Sequence, residues 1–196
     1  MIRVEFDFAQ IEKAALSLGA AADQIPFATA VALNRAADVT RNFLIKQTWP
    51  QHIQQRNASF IGASLTTRGA RADKRSAAVE IYDRLNRGNL QMQALGGTRT
   101  PRGGANLAVP SSKIGRTSRG VPARLRPKSL PNAIRKGDVL YTRDKKGRLR
   151  LMYVLKHQTP IPRRVPFYED FALSMQRELR VALPVAIAKA MATRRR

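Results

Sequence analysis

The chain has 196 residues, enough for one full domain or for a compact domain with an extended segment. Its 36 Lys and Arg against 13 Asp and Glu give a net charge of +23, which repels itself in a compact protein unless counter-ions or a partner neutralise it. With no cysteine, disulfides, cysteine-ligated zinc and thiol catalysis are excluded.

At the start, Ile2, Val4, Phe6 and Phe8 alternate with Arg3, Glu5 and Asp7, the period of a strand with one buried face. That alternation leaves no unbroken apolar stretch of the signal-peptide kind, so we expect synthesis in the cytoplasm without export by that route. Residues 9–22 predict a short helix with Ile11, Ala14, Ala15 and Leu18 on one side. The strongest helical segment follows over 26–48, with Pro26 in its first turn and no further Gly or Pro until Pro50. Phe27, Ala30, Val31, Asn34, Ala37, Val39, Phe43 and Leu44 trace its expected inner face, and Arg35, Asp38, Arg41 and Asn42 the opposite side.

Residues 60–67 and 77–82 read as two strands of a hairpin around the polar connection 68–76. Residues 84–137 then carry twelve Lys or Arg and no Asp or Glu, eight of the twelve glycines, five of the eleven prolines, and no Phe, Tyr or Trp. Such a stretch has no means of building an apolar core alone, so it predicts an extended arm that needs a partner. A second hairpin is expected from 138–143 and 148–155, turning at Asp144-Lys145-Lys146-Gly147. Prolines 160, 162 and 166 exclude helix and lead rigidly into a final helix. In that helix Phe171, Met175, Leu179, Ala182, Leu183, Ile187 and Met191 recur at helical spacing, with Glu169 and Asp170 at the start and Arg194 to Arg196 past the end. Pro184 is expected to kink or split it.

The fold class predicted is α+β: an antiparallel sheet packed by the long helix and the C-terminal helix. Residues 1–83 and 138–196 together form one domain, and 84–137 an irregular basic arm inserted in it. No catalytic set stands out. His52 and His157 lie in no metal-ligand spacing, and Glu169-Asp170 is helix N-terminal charge rather than a catalytic pair. Gly96-Gly97 and Gly103-Gly104 lack the lysine and following helix of a phosphate loop. We therefore expect no enzyme, no cofactor and no metal. The longest apolar run, 181–188, contains Pro184 and falls short of the ~20 residues of a membrane span. The arm lacks aromatic residues for base stacking, so its nucleic-acid contacts would be to phosphates and would weaken steeply with salt. The candidate contacts are Arg99, Arg102, Lys113, Arg116, Arg119, Arg124, Arg126, Lys128, Arg135 and Lys136.

In this order of elements, the chain resembles the minor tail protein Z and tail-completion family of long-tailed bacteriophages. The resemblance is carried by Ala32-Leu33-Asn34-Arg35-Ala36-Ala37, by the stretch from Gly96-Gly97 through Gly104 to Leu107-Ala108-Val109-Pro110, and by the approach to the last helix from Ile161 to Phe171. It implies a virion structural protein at the head-proximal end of the tail, the neck, made in the host cytoplasm. It also implies a homo-oligomeric ring, a hexamer, that meets the tail terminator, tail tube and connector, with double-stranded DNA a further candidate for the arm and no membrane involved. The competing reading is a non-enzymatic, basic nucleic-acid-binding protein that contacts phosphates through residues 84–137.

Overall fold

A computed structural model describes residues 13, 16, 17, 22–86, 90–101 and 103–193. The strand expected over 2–8, most of the helix over 9–22, Arg102 and Arg194 to Arg196 lie outside the described residues. The fold class is α+β, and among the described residues every strand pairing is antiparallel. The chain divides into two compact units. One comprises Met1–Gln54, Ala58–Ala94 and Arg164–Arg196, the other Gln55–Asn57 and Leu95–Arg163.

The first unit is built on helix α1, Ile25–Phe43, entered from a 3-10 turn at Ala22–Gln24. Pro26 sits in the first turn, where an N–H would have no intrahelical partner anyway. The rod continues through a π-helical turn, Leu44–Thr48, into α2, Trp49–His52, and so outruns the expected end at Thr48. Pro50 accounts for the wide turn. It has no N–H to give the Lys46 carbonyl, and the Trp49 N–H reaches back to Leu44 O instead.

Along α1 and into the π-helical turn the buried line is Ala28, Ala32, Leu33, Ala36, Ala37, Thr40 and Leu44. It faces the C-terminal helix α5, Phe167–Ala192, which buries Phe171, Met175, Leu179, Ala182, Leu183, Ala186, Ile187 and Ala190. Alanines recurring every fourth residue on both helices form shallow ridges that let the two backbones approach closely. Two polar links fix the pair as antiparallel: Thr40 Oγ1 and Ser174 Oγ lie 2.9 Å apart in the core, and Thr48 Oγ1 donates to Asp170 Oδ2 at 2.6 Å. The Trp49 ring stacks on Phe167 with centroids 5.8 Å apart. Val39, expected inside, is exposed, and Thr29 and Thr40 are buried in its stead, because the inner face follows the strict four-residue ridge rather than the drifting apolar pattern.

Pro184 neither ends nor divides α5, contrary to the split that its position suggests. It lies on the solvent side, as does Arg180, whose carbonyl loses the proline's N–H. Water can satisfy that carbonyl, while Leu183, Ala186 and Ile187 keep the buried face continuous past the proline.

Residues expected as the first strand of the 60–82 hairpin begin instead as helix α3, Ser59–Ser64. Only β1, Leu65–Thr66, then pairs with β2, Tyr82–Asp83. Arg41 explains the difference: its Nε donates to Leu65 O at 2.6 Å and its Nη2 to Gly62 O at 2.8 Å, which satisfies carbonyls at the helix end. Leu65, Val79 and Ile81 join the helical core, so α1 and α5 do pack with this small antiparallel ladder. Asn34 holds the connection by a two-way bond to the Ala72 backbone, 2.8 and 2.9 Å, and Asp38 by an ion pair to Arg71 at 2.7 Å.

The second unit follows helix α4, Leu90–Leu95. Strand β3, Gly97–Arg99, pairs with β8, Thr159–Ile161; here Gly96 turns the chain at φ +77°, and a Cβ on it would sit 3.2 Å from the Arg163 nitrogen. Beside this ribbon lies a four-stranded sheet in the order β4-β7-β6-β5: Leu107–Pro110, Leu149–Lys156, Val139–Arg143 and Ile134–Lys136. The expected hairpin β6–β7 is present and turns at Asp144, whose carboxylate accepts from the Lys146 and Arg148 N–H groups.

This sheet corrects two expectations. Residues 84–137 are not an irregular arm throughout, since they supply α4, β3, β4 and β5. The hairpin over 138–155 belongs with residues 95–137 rather than with the helices, because β4 and β5 complete its hydrogen bonding on either side. The register shifts by one where Leu140 pairs with Tyr153 but Tyr141 with Leu151, leaving Met152 as an extra residue. Consecutive Met152 and Tyr153 can therefore both be buried in one small core, with Ile114 and Leu130 from the glycine-rich stretch.

Candidate polyanion-facing surface

The second unit contains eighteen of the chain's 36 basic residues and two of its 13 acidic ones, Asp138 and Asp144. Two carboxylates cannot pair with eighteen cations, and Asp144 is already engaged in its turn. The arginines use backbone carbonyls instead: Arg116 donates to Pro110 O at 3.3 Å, Arg135 to Gly137 O at 3.0 Å, Arg143 to Gly147 O at 2.8 Å, and Arg150 to Lys113 O. A carbonyl orients a guanidinium without cancelling its charge, so the surface stays cationic.

Nine of the ten residues singled out from sequence are described, and all nine are exposed. Arg99 ends β3. Lys113, Arg116 and Arg119 lie on the loop after β4, Arg124 and Lys128 on two successive 3-10 turns, Ala123–Leu125 and Pro127–Ser129, and Arg126 between those turns. Arg135 and Lys136 are neighbours on β5 and so face opposite sides of the sheet. Arg116 and Arg126 come together at the Tyr153 phenol, which donates to Leu125 O at 2.6 Å. Burial raises the pKa of Tyr153, and the two guanidinium groups partly oppose that rise.

Sequence reasoning missed Arg143, Lys145, Lys146, Arg148, Arg150 and Lys156, which belong to the same unit. Of these, Lys145 and Lys146 read in the sequence as part of a hairpin turn. The signal that could have joined them to the rest is the near-absence of acidic residues, which continues past residue 137 with Asp138 and Asp144 alone until Glu169.

Neither a protein-family model nor a curated protein nor a solved structure matches the chain. Both histidines lie against backbone carbonyls. His52 Nδ1 lies 2.8 Å from Thr48 O and His157 Nδ1 3.3 Å from Ala105 O. Among the described residues no three His, Cys, Asp or Glu side chains gather as a metal site would require, and no helix is long and apolar enough to cross a membrane. A groove of about 440 Å³ in the helical unit is lined by Phe43, Asp170, Leu173, Ser174, Gln176, Arg177 and Arg180. There the Ser174 hydroxyl and Asp170 carboxylate are bonded to Thr40 and Thr48, and Arg177 lies over the Phe43 ring at 5.9 Å.

Proposed function

We propose that the chain is a virion structural protein of a long-tailed bacteriophage, a tail-completion or minor tail protein of the neck that works by assembly rather than catalysis. The family reading rests on the resemblance carried by residues 32–37, 96–110 and 161–171. The observation that supports an assembly role is the partition of charge. A helical unit with a substantial core is joined in one chain to a sheet unit of net charge +16, which is far from neutral without a partner. In this reading the helical unit is the frame of a ring subunit. The sheet unit reaches the acidic faces of adjoining tail or connector proteins, or the DNA in the channel.

The test is to label this chain in a phage lysate and image purified, nuclease-treated particles by electron microscopy. Signal at the junction of head and tail is the expected result. Particles free of signal would sink the neck reading and leave a basic nucleic-acid-binding protein in its place. The cation excess itself favours that second reading, which is checked by the salt dependence of duplex DNA binding. Arg119→Glu, Arg124→Glu and Lys128→Glu together should then flatten the slope, whereas in the neck reading they impair joining of heads to tails.

A further inference from the structure

The four-stranded sheet has two faces of different character. Tyr153, Leu140 and Ala108 point to the side covered by Ile114, Val121, Leu125 and Leu130. On the other side, strand alternation and the pairings Val139↔Val154, Val109↔Val154, Tyr141↔Leu151 and Ile134↔Tyr141 collect a continuous apolar surface. None of these side chains is buried, and Leu149, on the same face, is 42% exposed. The register places Lys136 beside Val139, Lys156 beside Leu107 and Arg143 beside Leu149, so three exposed cations border this face at its margins. The unit's only carboxylates, Asp138 and Asp144, lie in its turns.

A half-exposed apolar sheet face with a charged border has the makeup of a protein-binding surface, with an apolar centre and a polar rim. Its occupant can be specified by charge. A second copy carries the same +23 and would set cation against cation, and a nucleic-acid backbone has no apolar surface to offer the valines and Leu151. We propose that this face docks a different protein, on an apolar patch bordered by Asp and Glu that meet Lys136, Arg143 and Lys156. The proposal does not depend on the neck reading, although in that reading the partner is an adjoining virion protein.

The experiment places the photo-cross-linker p-benzoylphenylalanine at Val154 in the full-length chain and, as a control, at Ser118 in the loop after β4. Cells producing the protein with its natural neighbours are lysed and irradiated, and the cross-linked site is mapped by mass spectrometry. The expected product, from Val154 and not from Ser118, joins another protein at an apolar position flanked by Asp or Glu. Raising the salt from about 0.1 M to about 1 M shortens the Debye length from ~10 Å to ~3 Å and should lower the yield. Lys136→Glu with Lys156→Glu should lower it roughly tenfold, with the circular dichroism spectrum unchanged as a check on folding. A cross-link to a second copy, a product lost on nuclease treatment, or no product from Val154 would overturn the proposal. If the partner is found but is not a virion protein, the docking face stands and the neck reading falls.

Discussion

The two units solve the problem of stability in opposite ways. The helical unit buries a long run of small and large apolar side chains between α1 and α5 and pairs Thr40 with Ser174 inside that core. The sheet unit has four buried apolar side chains, Ile114, Leu130, Met152 and Tyr153, and carries most of the net charge. Burial scales with the size of a core, whereas the sheet unit depends on its ladder hydrogen bonds and is opposed by repulsion among its own cations. Charge has been concentrated in the unit with the smaller core, and a unit built that way gains most when something anionic covers it.

The largest test of this contrast is Phe171→Ala, which empties a buried site near the start of α5 and should cost about 3–5 kcal/mol. In urea unfolding, the helical signal of circular dichroism should shift strongly while Tyr153 fluorescence shifts less. Equal shifts would mean that the chain unfolds as one cooperative body, and the comparison would fail. Ala36→Leu should cost about 1–3 kcal/mol by overfilling the line where the helices approach, and a thermal melt reads it.

Tyr153→Phe removes the bond to Leu125 O and should destabilise the sheet unit by roughly 1 kcal/mol. Because burial holds this phenol's pKa above its usual 10.0, the stability linked to it is complete below pH ~10 and is lost as the pH rises through the folded value. Near-ultraviolet titration of phenolate should show this late ionisation in the native protein and not in the variant. The smallest effect expected is that of salt. Screening between about 0.1 M and about 1 M should stabilise the sheet unit by under ~1 kcal/mol and the helical unit by less, read from paired urea transitions.

Much of the helical unit was legible in the sequence, since the apolar spacing of α5 and the proline at the start of α1 act locally. The helix at Ser59–Ser64 was not, because what stabilises it, Arg41, comes from a different element. The sheet unit was misread for a related reason. Composition rightly indicated that residues 84–137 could not build a core alone, but the side chains that complete it, Met152 and Tyr153, lie in the following hairpin. Basic residues could be identified one by one as exposed, whereas their grouping needed the pairing of β4 with β7 and of β5 with β6.

The extra residue at Met152 has an electrostatic meaning as well. Had the β6–β7 ladder continued in the register set by Val139↔Val154 and Leu140↔Tyr153, Arg143 would have stood directly across from Arg150. Facing guanidinium groups in adjacent strands repel, and they would have pried open the hairpin at its tip. With the one-residue shift, Arg143 lies opposite Leu149 and Arg150 opposite Thr142, and each guanidinium finds a backbone carbonyl. In a unit this rich in cations, the bulge works as a spacer that keeps like charges out of step.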